Sequence, residues 1–260
     1  MDGLNVLAGF GVGTMVGLTG VGGGALMTPL LVLLFGVAPA AAVGTDLWFA
    51  AFTKMVGGTM HHRKGSVDWQ VVRRLCLGSL PASIATLLWL HATGAARIGS
   101  GLILTALGAV LLLTALAMVF KRRLHALGQA LRSTAPEAFK RAQPALTVLA
   151  GAVLGLLVTL TSVGAGALGA VMLVYLYPFR MKPATLVGTD IVHGVPLTLV
   201  AGTGHLLMGH VDLVLLGSLL AGSVPGVLLG TWLGNWAPEA LLRAAIAVVL
   251  ALVGLKLVLG

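Results

Sequence analysis

Leu18-Thr19-Gly20-Val21-Gly22-Gly23-Gly24-Ala25-Leu26 is a glycine-rich break set inside apolar sequence. A fainter copy runs Leu160-Thr161-Ser162-Val163-Gly164-Ala165-Gly166-Ala167-Leu168. In a soluble protein such a stretch marks a surface loop, but here the flanks are too apolar for one. Of 260 residues, 58% are hydrophobic and 9% charged, against about 25% charged in a soluble domain. Mean hydropathy is +1.05. The breaks therefore fall within a membrane, where their backbone N–H groups can face a small anion. At ~20 residues per span the chain has room for roughly eight to ten.

Apolar runs separated by polar or Gly/Pro clusters give the segments 4–19, 21–36, 40–60, 70–91, 97–120, 144–161, 163–177, 184–204, 211–233 and 239–260. The first two of each half are short. Sixteen helical residues rise only ~24 Å, less than a ~30 Å hydrocarbon core. They read as thin spans or as half-membrane hairpins.

The two halves repeat each other. At an offset of 144, Val43-Gly44-Thr45-Asp46 returns as Val187-Gly188-Thr189-Asp190, and His61 as His205. Val67-Asp68 returns as Val211-Asp212, and Gly78-Ser79-Leu80-Pro81 as Gly222-Ser223-Val224-Pro225. The glycine break follows at an offset of 142. So many matches at one spacing signal a duplication. The predicted fold is an all-α polytopic membrane protein of about ten hydrophobic segments, some short or re-entrant, in two inverted repeats of five. The division is 1–120 for the first membrane repeat, 121–143 for a basic linker and 144–260 for the second, inverted repeat.

Charge sets the expected topology. The net charge of +9 gathers in short connections, so it reports orientation, not nucleic-acid binding. The linker carries Lys121, Arg122, Arg123, Arg132, Lys140 and Arg141, which puts it in the cytoplasm. Arg63, Lys64, Arg73 and Arg74 fall on the same side, as do Arg180 and Lys182, whereas 205–211 has no Lys or Arg. Both termini are then expected outside, in a multi-pass protein of the cell inner membrane. Met1-Asp2-Gly3 lacks the positive region of a cleaved leader. Cys76, the single cysteine, reads as a packed thiol.

Short glycine-interrupted segments at matching places in inverted repeats point to a transporter site. Glycine lets the backbone leave helical geometry and lets a ligand come close. The helix that follows offers free N–H groups to an anion. Gly20, Gly22, Gly23, Gly24, Gly164 and Gly166 are the backbone candidates, with hydroxyls from Thr19, Thr28, Thr161 and Ser162. The competing reading is close helix packing, and it holds for the ladders Gly9/Gly13/Gly17 and Gly222/Gly226/Gly230/Gly234.

Gly44-Thr45-Asp46 and Gly188-Thr189-Asp190 lie early in their segments. An ionisable residue at depth is a functional candidate, so Asp46 and Asp190 read as coupling or gating groups; they read equally as helix caps. His193 shares a helix face with Asp190 and is a candidate proton relay, or a satisfied core histidine. Lys54 attracts an anion or snorkels to the cytoplasmic end, and snorkelling is the simpler expectation. His61, His62, His205 and His210 read as interface residues. No Walker motif, zinc-ligand spacing or catalytic triad appears, so neither enzyme, cofactor nor bound metal is expected.

Gly-Val-Gly-Gly-Gly-Ala-Leu at Gly20–Leu26, followed by Pro29 and then by Val-Gly-Thr-Asp at Val43–Asp46, with a degenerate second copy, resembles the TauE/SafE sulfite exporter family over nearly the whole chain. The resemblance implies an inner-membrane permease for small anions such as sulfite, sulfoacetate and related sulfonates. Gly20, Gly22, Gly23, Gly24, Gly44, Thr45, Gly164, Gly166, Gly188 and Thr189 fall on the family pattern. Asp46 departs from it, since the first copy often reads Gly-Thr-Ser in the family. The expectation is a secondary carrier of a small anion working by alternating access with H+ as coupling ion; a passive anion channel of the same fold and a metal-ion permease are the alternatives. Its expected partners are the anion and the lipid bilayer, with no nucleic acid.

Overall fold

The computed structural model describes residues 3–19, 24–93, 100–234 and 239–259. Among them are ten helices and no strand. They are α1 (Gly3–Thr19), α2 (Gly24–Leu33), α3 (Pro39–Arg63), α4 (Trp69–Thr93) and α5 (Ser100–Thr134), then α6 (Pro136–Thr161), α7 (Ala167–Leu176), α8 (Pro183–Leu207), α9 (Leu213–Gly234) and α10 (Glu239–Leu259). Five stretches are long and apolar enough to cross a membrane: Trp69–Thr93, Ile103–Thr134, Pro136–Thr161, Pro183–Leu207 and Leu213–Gly230. Large apolar side chains such as Leu88, Leu207, Leu228 and Leu252 stand exposed on the outside. In water that surface would aggregate, whereas in lipid it is the ordinary exterior.

Several helix bounds differ from the sequence expectation. The segment predicted over 97–120 continues as α5 to Thr134, so most of the basic linker is helix. Arg, Lys, Ala, Leu and Gln are all good helix formers, and Pro136 opens the next helix at its first turn. The segments predicted over 21–36 and 163–177 contain helices of only ten residues, α2 and α7. Each rises about 15 Å, half a bilayer core.

The two sets of five helices interlock. α1 packs along α9, and α6 along α4. Both seams are glycine seams. A Cβ on Gly9 or Gly13 would meet the backbone of Leu219 or Ser223, and one on Gly222, Gly226 or Gly230 would meet the backbone of α1. The equivalent seam sets Gly151 and Gly155 against the backbone of Leu75 and Ser79, and Gly78 against Val148. Small residues let the helices approach until their backbones touch. At the centre α3 and α8 run antiparallel. Gly44 near the start of α3 meets His205 and His210, Lys54 meets Gly194, and Gly188 near the start of α8 meets His61 and Ser66.

The ends of α3 and α8 carry matched locks. The Asp212 N–H donates to Thr45 Oγ1 at 3.0 Å, and the Asp68 N–H donates to Thr189 Oγ1 at 3.0 Å. Each aspartate in turn caps the helix that follows it: Asp212 Oδ1 accepts from Val214 and Leu215, and Asp68 Oδ1 accepts from Val71. The basic connections gather at one end. Arg180 bonds Asp68 and Gln70, Arg74 donates to Tyr177 Oη, and His125 Nε2 donates to the Pro178 carbonyl. The opposite end, around 205–212, has no Lys or Arg in its connection.

Candidate functional site

The second glycine break is the best-defined feature of the interior. α6 enters from the basic end, where Gln143 donates to the Leu176 carbonyl and Thr147 bonds Tyr177 Oη. It ends at Ser162, which adopts a left-handed conformation with φ 59°. Gly164 and Gly166 take φ 124° and 127°, values that a side chain would strain. The chain then folds back along Leu154 and Val158, and α7 returns to the basic end. The α6–break–α7 unit is thus a hairpin that enters and leaves by one end. The hydroxyl of Thr161 stays local, donating to the Leu157 carbonyl and accepting from the Val163 N–H.

α7 begins with orphan donors, as every helix does. Gly169 and Ala170 bond back to the carbonyls of Gly164 and Gly166, but the N–H groups of Ala167 and Leu168 have no backbone acceptor among the described residues. The Gly166 N–H faces the carboxylate of Asp190. Gly169 packs directly on Asp190 Oδ1, so the carboxylate lies against the first turn of α7.

Asp46 reaches the same place from α3. Thr28 on α2 donates to Asp46 Oδ2 at 2.5 Å. Ser162, at the start of the break, lies beside Asp46 without a well-formed hydrogen bond. Between the carboxylates sits Lys54, with Asp190 and Asp46 as its charged neighbours. Its Nζ donates to the Ala165 carbonyl at a long 3.5 Å. Asp46, Lys54 and Asp190 are 0%, 4% and 4% exposed. The expectation that Lys54 snorkels is therefore overturned. It lies nine residues from the end of α3 at Arg63, about 14 Å of helix, too deep to reach the surface. Gly194 on α8 admits it, since a Cβ there would lie 2.5 Å from Nζ.

His193 is fully buried beside this group, with Nε2 2.9 Å from Ser79 Oγ on α4. The charge that bears on it is Lys54, not the Asp190 with which it shares a helix face. Asp46 Oδ1, Asp190 Oδ1, Ser162 Oγ and His193 Nδ1 have no hydrogen-bond partner among the described residues. Unpaired buried polar atoms are unusual and mark a place where something else fits.

The other candidates from the sequence scatter. Gly20, Gly22 and Gly23 lie outside the described residues, as do the surroundings of Thr19 and Gly24. Gly44 and Gly188 pack on the carbonyls of His210 and Ser66, at the two ends of the α3–α8 pair. The hydroxyls of Thr45 and Thr189 are occupied by the end locks. His205 bonds the Thr159 carbonyl and stacks near His210 beside a small cavity of ≈ 20 Å³ at the less basic end. The sequence does not single out Gly169 or Gly194, and it reads Lys54 as snorkelling in preference to attracting an anion. The signal for Lys54 was its depth within the segment.

A membrane-embedded helical hairpin with a broken backbone, set against buried charges, defines a membrane transporter. The match to the family model "Sulfite exporter TauE/SafE" covers residues 5–257, and the chain belongs to that family. It is 40% identical over 218 residues to "Probable membrane transporter protein YjnA" of Bacillus subtilis (strain 168), covering 82% of each chain. It is 26% identical over 258 residues to "Probable membrane transporter protein YdhB" of the same organism, covering 98% of this chain and 99% of the relative. No solved structure matches.

Proposed function

We propose that the chain is a secondary carrier of small oxyanions, sulfite or an organosulfonate such as sulfoacetate, working by alternating access. The observation that carries this reading is the buried cluster of Lys54, Asp46 and Asp190 against the break at Ser162–Gly166. A cation and free helix-start N–H groups suit an anion. Carboxylates beside them suit a coupled proton, so H+ is the coupling ion in this reading, with His193 next to the path.

Two inverted membrane repeats, 1–120 and 144–260 joined by 121–143, provide the two faces of the cycle. The antiparallel α3–α8 pair supports that relation. The clustering of Arg74, His125 and Arg180 at one end supports a cytoplasmic linker with both termini outside, in the inner membrane.

Proteoliposomes holding the purified protein test this. Sulfite or sulfoacetate uptake driven by a pH gradient, and accelerated by substrate on the far side, is the expected result. Flux without such trans-stimulation would mark a channel, and no flux of either anion would sink the reading.

A further inference from the structure

We propose that Lys54 is the counter-ion of the bound anion, and that Asp190 is an internal anion holding the start of α7 until substrate displaces it. This rests on the anion-carrier reading of the same site and names the groups that do the binding.

The donors around the break are incompletely used. Lys54 carries three N–H donors, and its one acceptor among the described residues is the Ala165 carbonyl at 3.5 Å. Neither carboxylate comes within ion-pair distance of it among those residues. Among the described residues, Ser162 Oγ is buried beside Asp46 without a well-formed hydrogen bond, and the Ala167 and Leu168 N–H groups begin α7 without a backbone acceptor. An ammonium at the Ala165 carbonyl, the buried Ser162 hydroxyl and the start of α7 at Ala167 lie along one short stretch of chain, and each offers hydrogens to an oxyanion.

Asp190 now occupies part of that site. Its carboxylate faces the Gly166 N–H and presses on Gly169, and Oδ1 has no partner among the described residues. It does what the substrate would do. The charge count then constrains the exchange. Lys54 with two ionised carboxylates carries one net negative charge. Adding a monoanion without compensation would bury two, which a membrane interior opposes. Binding is therefore accompanied by uptake of one proton from the bulk solvent: an O–H bond of hydronium breaks, one forms on the Asp190 carboxylate, and water is left behind. The neutral acid releases the Gly166 N–H and Lys54 to the anion. The charged groups around Asp190 in this step are Lys54, with Asp46 beyond it on α3; His193 on its own helix is a buried imidazole turned to Ser79, and the first turn of α7 brings glycine and apolar side chains.

The test measures binding and counterflow of sulfite, and of methanesulfonate, a monoanion throughout the neutral range. Lys54→Met is expected to raise KM for both anions about 10- to 100-fold, the weight of a charge-assisted hydrogen bond, and Lys54→Arg to restore most of it. Asp190→Asn is expected to bind methanesulfonate several-fold more tightly and without pH dependence, while slowing exchange. Should Lys54→Met fail to fold, Lys54→Met/Asp190→Asn keeps the charge count and is expected to fold without binding. Unchanged KM in Lys54→Met or in Lys54→Met/Asp190→Asn, or weaker and still pH-dependent binding in Asp190→Asn, would overturn the proposal while wild-type flux leaves the carrier reading standing. Wild-type silence toward both anions would overturn both.

Discussion

Asp46 and Asp190 occupy equivalent positions in the two halves, yet they are held by different chemistry. Both face a peptide N–H, but Asp46 takes a hydroxyl as well, Thr28 Oγ1 at 2.5 Å, from the residue that also supplies its N–H. Asp190 faces a peptide N–H at Gly166 and packs on Gly169. A hydroxyl both donates and accepts, so it follows a carboxyl group through either protonation state. A peptide N–H only donates, so it favours the ionised form. The positions that set this difference are Thr28, where the second half has Ala170, and Met27, where it has Gly169. The duplicated chain has kept the acid in both copies and changed what holds it.

Truncating the fully buried Met27 to Ala opens a cavity and is expected to lower stability by about 2–5 kcal/mol. The equivalent Gly169→Ala pushes on the Asp190 carboxylate and is expected to lower it by about 1–3 kcal/mol. Thermal unfolding in detergent measures both; equal shifts would mean that the two sites are packed alike. Thr28→Val leaves Asp46 without its hydroxyl and is expected to destabilise by about 1–3 kcal/mol, with Thr28→Ser recovering it. If Val is tolerated as well as Ser, the hydroxyl is not what holds Asp46.

The ends give a finer comparison. Thr189 and Thr45 make the same bond, but Asp68 at one end also pairs with Arg180, and Asp212 at the other has no such arginine in its connection. Arg180 is half-exposed, so Arg180→Gln is expected to shift stability by no more than about 1 kcal/mol, and less in high salt. The smallest effect belongs to His210, which stands where the first half has Ser66. Burial pushes the His210 imidazole below its ordinary 6.5. The folded protein then binds that proton less readily than the unfolded chain. Stability is full above that value and declines as pH falls through it toward the lower folded pKa. A His210→Gln variant should lose a small part of the acid-side decline; an identical pH curve would remove His210 as its source.

Much of this was legible in one dimension. Apolarity, the ten segments and the recurrence of Val-Gly-Thr-Asp reveal a duplicated helical membrane protein, and Gly222, Gly226 and Gly230 read correctly as a packing seam. The site was half legible. Asp46 and Asp190 stood out because carboxylates are rare in such sequence, and Ser162–Gly166 because glycine and serine interrupt it. Lys54 did not stand out, because its surroundings come from Ala165 and Gly194, more than a hundred positions away. The end locks of Thr45 and Thr189 were hidden for a related reason: the loops whose N–H groups they accept, at Asp212 and Asp68, come from the other half. The continuation of α5 through the basic stretch follows from helix propensity, which charge had hidden.

The glycine seams also bear on how the protein is made. α1 meets its main neighbour, α9, only after about two hundred further residues have been synthesised and inserted. Until then its glycine face can touch only lipid. The nascent chain therefore holds its first helix in waiting, and that helix docks late, after α4 and α6 have already closed the earlier seam. Biogenesis should be most fragile at this last step. Substitutions at Gly9 or Gly222 should therefore be seen first as a protein cleared by quality control, before any defect in its chemistry is measured.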